Sequence, residues 1–230
     1  MARKKIVFVI VEGPSDADAL DAIISRILDK DMVHVHIVHG DITTENGVTT
    51  TNIVARVTDE VKSFVASNPF TKKDFKEIIH IVDTDGAFIP DECVLADATL
   101  SKVRYNLTEI RTQNPTSIVD RNHRKAANLN KLYSSSTIWD IPYRVFYMSC
   151  NLDHVLYDKL NRSDEEKRYN ALRFARKYGK DLVGFLAYIS TSDFSVMKGY
   201  KESWEFIKES LHSLERYTNF GLFFSDSAKD

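Results

Sequence analysis

The chain has 230 residues, 43% hydrophobic and 11% aromatic, enough apolar material for one large domain or for a core with an appendage. A formal net charge of −2 excludes a generally basic nucleic-acid coat, so any polyanion contact has to come from local patches. No apolar run reaches the roughly 18 residues of a membrane span, and two cysteines, Cys93 and Cys150, are too few for a zinc ribbon or a disulfide framework and read as reduced thiols.

In chain order, residues 5–11 read as a buried strand. The basic start before it resembles a signal peptide only superficially. The apolar run is short, and Glu12 ends it without a small-residue cleavage site, so a cytoplasmic protein is expected. Residues 16–30 read as a helix, with Ala17, Leu20, Ile23, Ile24 and Ile27 on one face and Pro14 suited to its start. Residues 33–38 alternate as a second strand. The threonine-rich stretch 40–52 reads as a loop, and Asn52 is expected to cap a helix that runs to about residue 67, before Asn68-Pro69. Residues 77–83 form a third strand. The stretch 86–142 reads as a less regular, partly helical insertion, 143–149 as a further strand, and 151–160, 164–180 and 201–217 as helices.

This β-α-β-α-β order predicts an α/β fold, a Rossmann-like, mostly parallel sheet flanked by helices. The expected organisation is a core over 1–160, interrupted by the insertion 86–142, and a helical C-terminal subdomain over 161–230 packed on it.

Two acidic clusters follow strands: Glu12-Gly13-Pro14-Ser15-Asp16 and Asp83-Thr84-Asp85-Gly86. Carboxylates at the carboxyl ends of parallel strands face one crevice, and a divalent cation relieves their repulsion. Gly13 and Gly86 allow tight turns beside the acids. A plainer account exists for each cluster alone: Asp16 complements a helix N-terminus, and Asp-Thr-Asp-Gly is a turn. Taken together they read as a divalent-cation site, most often Mg²⁺, built from Glu12, Asp16, Asp83 and Asp85.

At these residues the chain resembles the Toprim family, in which a Glu-Gly follows the first strand and an Asp-x-Asp a later one. Glu12-Gly13 and Asp83-x-Asp85 match that order, and the extension Glu12-x-x-x-Asp16 is similar to the OLD-type and phage-defence Toprim nucleases. The resemblance covers about residues 5–90. It implies Mg²⁺- or Mn²⁺-dependent cleavage of phosphodiester bonds in DNA or RNA, with Glu12, Asp83 and Asp85 catalytic. It also implies a further acid, for which Asp153 is the candidate metal ligand, and a distant lysine, for which Lys198 is a guess. Asn151 as N-cap and Asp153 as dipole partner explain that segment equally well. The eight glycines form no G-x-x-x-x-G-K-[ST] phosphate loop, so a coupled ATPase would be a separate partner in an anti-phage defence system. A homodimer stays open.

Two basic stretches suit a polyanionic substrate. Residues 121–131 hold four positive charges and no acid, with Arg121, Arg124 and Lys125 expected on a substrate-binding loop. A predicted helix over 164–180 gathers Arg173, Arg176, Lys177 and Lys180 on one side, which a solvated face also explains. His34 and His36 share a strand face and read as packed or edge residues rather than zinc ligands, while His39 and Asp41 follow the strand end. Two rival readings remain. One is a haloacid-dehalogenase-like phosphohydrolase, with Asp83 as nucleophile and Asp85 as general acid, although its motif would then sit on the third strand. The other is a non-catalytic Toprim binding module.

Overall fold

The computed structural model describes residues 5–28, 33–38 and 40–227. His39 and the end of the predicted first helix, residues 29–30, lie outside them.

The elements run β1 (Ile6–Val11), α1 (Pro14–Leu28), β2 (Val33–Ile37), α2 (Ile53–Ala66), β3 (Phe75–Asp83), β4 (Val94–Ala96), β5 (Arg104–Tyr105), β6 (Ile110–Thr112), α3 (Pro115–Tyr133), β7 (Thr137–Ile138), β8 (Ile141–Met148), α4 (Leu152–Tyr157), α5 (Asp164–Tyr178), α6 (Leu182–Thr191), α7 (Tyr200–Ile207) and α8 (Gly221–Ser227). The fold is α/β, with a five-stranded, mostly parallel sheet of order β2-β1-β3-β8-β7 flanked by helices. Each strand-helix-strand passage brings the chain back parallel to its start, which places β2 and β3 on either side of β1.

The chain divides into two compact units that interleave in sequence. The first comprises Met1–Val82, Ala127–Phe146 and Ala171–Leu182. It holds most of the sheet. β1 is buried along its whole length, as a strand covered on both faces must be. From α1 it takes Ala19, Leu20, Ile23 and Ile24, and from α2 Ile53, Val57, Val61 and Phe64. Their spacing of three and four residues makes one apolar stripe on each helix. The β1–β3 register, Ile10 opposite His80, makes these strands parallel neighbours, and an acidic motif follows the carboxyl end of each.

The second unit comprises Asp83–Ala126, Tyr147–Asn170 and Val183–Asp230. It contains a small mixed sheet of order β4-β6-β5 and a core of Ile89, Val94, Ile110, Ile118, Cys150 and Leu214.

Four local expectations need correction. The stretch 86–142 is not irregular: it contains the small sheet and the 19-residue helix α3. Residues 121–131 therefore lie on a helix, not on a loop. Asn52 occupies the N-cap position of α2, but its side chain makes no cap; its Oδ1 accepts from Thr49 N–H at 2.8 Å and its Nδ2 donates to the Gly47 carbonyl at 2.9 Å, so it ties the preceding loop together. The helix expected over 201–217 stops at Ile207. Beyond it the Ser213 carbonyl turns to accept from Thr84 Oγ1 (2.8 Å), Cys150 N–H (2.9 Å) and Gly86 N–H (3.2 Å), bonds that a continuing helix would not offer.

Candidate active site: the Asp83–Gly86 turn

β3 ends at Asp83, and the next three residues turn sharply. Asp85 has φ 49° and Gly86 φ 70°, two successive left-handed residues. Asp tolerates that region better than most residues, and glycine enters it without steric cost. Space is tight at Gly86 as well, so that a side chain there would force its neighbours to shift. A Cβ there would stand 2.7 Å from Leu214 Cδ2 and 3.0 Å from Ile110 Cδ1. Thr84, fully buried between the two acids, anchors the turn: its N–H donates to the Met148 carbonyl at 3.0 Å and its hydroxyl accepts from Cys150 N–H at 2.8 Å.

Both acidic side chains are half-buried and oriented by donors. Asp83 Oδ1 accepts the backbone N–H of Leu152, the first residue of α4, at 2.9 Å. This bond satisfies one of the helix's orphan N–H groups with a negative charge, which the helix N-terminus favours. Asp85 Oδ2 lies 2.6 Å from Lys125 Nζ, whose side chain is fully buried while that of Asp85 is 23% exposed. One turn earlier on α3, Arg121 donates to the Asp85 backbone carbonyl at 2.9 Å and to Tyr105 Oη at 2.6 Å. Burial and the Asp85 charge push the Tyr105 hydroxyl well above its usual range, so Tyr105 stays neutral and accepts from Arg121. Cys150 is buried in the same place. Desolvation, then the charges of Asp85 and Asp83, raise its thiol pKa, which makes it an inert thiol rather than a nucleophile.

Asp153, the second residue of α4, is buried, and desolvation raises its pKa against the lowering fields of Lys167 and Arg162. Its Oδ2 is 3.8 Å from Lys167 Nζ, and its Oδ1 has no hydrogen-bond partner. Asn151 is the N-cap of α4, accepting from His154 N–H at 3.0 Å, as expected.

In the first unit, Glu12 and Asp16 flank the start of α1 and are half-buried. Asp16 Oδ2 accepts the N–H of Gly13 at 3.0 Å, the reach-back of a capping box, so the plainer account of Asp16 describes at least one of its oxygens. Asp41 acts locally, accepting from Thr43 N–H at 2.8 Å and from Thr44 Oγ1 at 2.7 Å. His34 and His36 stack on Phe8 with centroids 5.5 and 5.2 Å apart, and His36 Nε2 is 3.0 Å from Glu60, so these histidines are packing residues.

The expected anchors are distributed unevenly. Arg121 and Lys125 are occupied by the Asp85 turn, and Lys125 presents no surface to a ligand, while Arg124 is exposed. Arg173, Arg176, Lys177 and Lys180 are exposed, opposite buried Ala171, Phe174 and Tyr178, as the amphipathic pattern requires. Lys177 Nζ lies 4.4 Å over the Tyr178 ring. Lys198 is exposed, with its Nζ 5.3 Å over the Phe206 ring. Sequence reading placed Arg121 and Lys125 among the anchors and missed their structural part. The available signal was their spacing of four on an α3 that had itself gone unrecognised. Tyr105 and Ser213 carried no signal at all.

Among the described residues, no three His, Cys, Asp or Glu side chains are gathered as a cage for one ion. A Mg²⁺ ion needs no such cage, since it keeps several waters and takes one or two carboxylates together with substrate phosphate. Two carboxylates, Asp83 and Asp85, stand on the turn, each held in orientation by a buried donor. Compared with known proteins, the chain matches no family model, no curated protein and no solved structure. No helix of the described residues is long and apolar enough to cross a membrane.

Proposed function

We propose that the chain is a Mg²⁺- or Mn²⁺-dependent nuclease of the Toprim type that hydrolyses phosphodiester bonds in nucleic acid. The observation that carries this reading is the pair Asp83 and Asp85 on one left-handed turn at a strand's carboxyl end, each carboxylate fixed by a buried donor. Such preorganisation keeps two hard oxygen ligands in place without rearrangement when substrate arrives. The bound cation would supply Lewis-acid stabilisation of the phosphoryl oxygens. The resemblance adds Glu12 and Asp16 as ligands, Glu12 among the catalytic groups, and Asp153 as a further acid. It also supports a separate ATPase partner and an anti-phage role.

The test is cleavage of labelled single- and double-stranded DNA and RNA with Mg²⁺ or Mn²⁺, by wild type, Asp83→Asn and Glu12→Gln. Asn at position 83 keeps an acceptor for Leu152 N–H and removes the charge, so its fold is preserved. Cleavage is expected to fall at least about 100-fold in each variant, as for loss of a charged group acting in the transition state. Undiminished cleavage by Asp83→Asn overturns the assignment. Turnover of phosphomonoesters in place of nucleic acid would install the phosphohydrolase instead.

A further inference from the structure

The second unit contains a concave site that none of the acidic chemistry uses. A pocket of about 340 Å³ opens beside β5, lined by Ser101, Lys102, Arg104, Asn161 and Arg162 with apolar Leu100 and Val103. Three cations face one small volume. Lys102 and Arg104 are exposed, and among the described residues neither is paired with an acid. Arg104 stands directly opposite Arg111 across the β5–β6 ladder, a repulsive arrangement that Glu109 relieves only on the Arg111 side, at 2.5 Å. Arg162 is steadied by Glu166 at 2.5 Å, yet its Nε–H is buried with no acceptor. A buried donor left unsatisfied is destabilising, and an anion seated in the pocket is the group that would satisfy it.

The cations are also held in place. Asn161, at φ 55°, clamps the backbone of Tyr105: its Oδ1 accepts the Tyr105 N–H at 2.8 Å and its Nδ2 donates to the Tyr105 carbonyl at 2.7 Å. That clamp covers the edge of β5 and fixes the residue after Arg104 against the residue before Arg162. From Tyr105, Arg121 continues to the Asp85 carbonyl, so the pocket and the acidic turn are joined by direct hydrogen bonds within one unit.

We propose that this pocket is a phosphate-group subsite, with Lys102, Arg104 and Arg162 as its ligands and Asn161 as the positioning residue. The phosphate belongs to the backbone of the nucleic acid, an assignment that rests on the nuclease reading, whereas phosphate binding as such stands on the pocket alone. Spreading guanidinium and ammonium donors around one small cavity suits the several acceptor oxygens of a phosphate better than a single carboxylate.

The experiment measures binding without metal, in EDTA, so that cleavage plays no part. Calorimetry reads pyrophosphate, and fluorescence anisotropy reads a labelled single-stranded oligonucleotide over a salt series. In Lys102→Ala/Arg104→Ala, pyrophosphate affinity is expected to fall at least about tenfold, the loss of one or more charge-assisted hydrogen bonds. Oligonucleotide affinity is expected to fall as well, and its slope of log K against log salt to flatten by about 0.7 for each lost contact. Asn161→Ala keeps all three charges and is expected to weaken pyrophosphate through lost positioning, whereas Asn161→Asp, which loses the donor to the Tyr105 carbonyl and adds a negative charge beside the site, is expected to weaken it further. An unaltered melting temperature in the double variant excludes misfolding, since both side chains are exposed. No pyrophosphate binding by wild type, or equal binding by the double variant, overturns the subsite. Weakened pyrophosphate with unchanged oligonucleotide affinity overturns the nucleic-acid source and assigns the pocket to a free phosphate-bearing ligand. Loss of cleavage in Asp83→Asn leaves all these readings unaltered, so the two proposals fail separately.

Discussion

Lys125 Nζ lies 2.6 Å from Asp85 Oδ2, with the lysine side chain wholly buried and the aspartate side chain 23% exposed. The asymmetry matters more than the distance. A charge removed from the exposed partner strands an ammonium in the interior, whereas a charge removed from the lysine leaves a carboxylate that water still reaches.

Asp85→Asn is therefore expected to cost about 3–5 kcal/mol, the usual result of breaking a buried pair. Lys125→Met, which keeps most of the volume, is expected to cost clearly less. The double variant is expected to lie above Asp85→Asn in stability. Urea unfolding of the three proteins measures this cycle, and additive single effects would show that the pair is not coupled.

The two arginines of α3 are expected to separate. Arg121 holds Tyr105 and the Asp85 carbonyl, so Arg121→Ala removes two charge-assisted bonds and is expected to cost about 2–4 kcal/mol. Arg124 is exposed, and Arg124→Ala is expected to stay within about 0.5 kcal/mol of wild type. Thermal and urea unfolding decide it. Equal effects would mean that the Arg121 contacts contribute no stability.

His154 sets an acid limit. Desolvation, with Arg216 acting in the same direction and Asp158 against it, lowers its pKa from 6.5 to about 4. Between those values the unfolded chain binds a proton that the folded chain refuses, so stability rises with pH across this window and is lost as pH falls through it. The loss amounts to at most about 3 kcal/mol. Asp153, its neighbour, has a raised pKa and opposes this: as pH rises above 3.8 the unfolded carboxyl ionises first, which lowers stability. Unfolding free energies of wild type and His154→Gln from pH 7.5 to 4.5 provide the check. The variant is expected to lose most of the wild-type slope, and parallel curves would remove His154 from the account.

Local chemistry decided the first half of the fold. The alternation of apolar and polar periods over β1, α1, β2, α2 and β3 is set by which faces must be buried, and the start of α1 at Pro14 follows from a residue without an N–H to lose. The Asp-x-Asp turn was legible for the same reason, since two acids and a glycine at a strand end signal a turn whatever surrounds them. The short strands of the insertion were not legible, because two or three residues carry no period.

Tertiary structure decided what the acids are attached to. The Ser213 carbonyl bonds Thr84 from 129 positions away, and Lys125 reaches Asp85 from 40 positions away. Neither partner differs in kind from the other serines and lysines of the chain. Sequence fixes the hydrogen-bonding capacity of each residue, but only the folded path determines which buried donor meets which carboxylate. For the same reason Lys125 reads as a surface cation until the packing of α3 encloses it, and the pocket beside β5 exists only once Asn161 brings Arg162 beside Arg104.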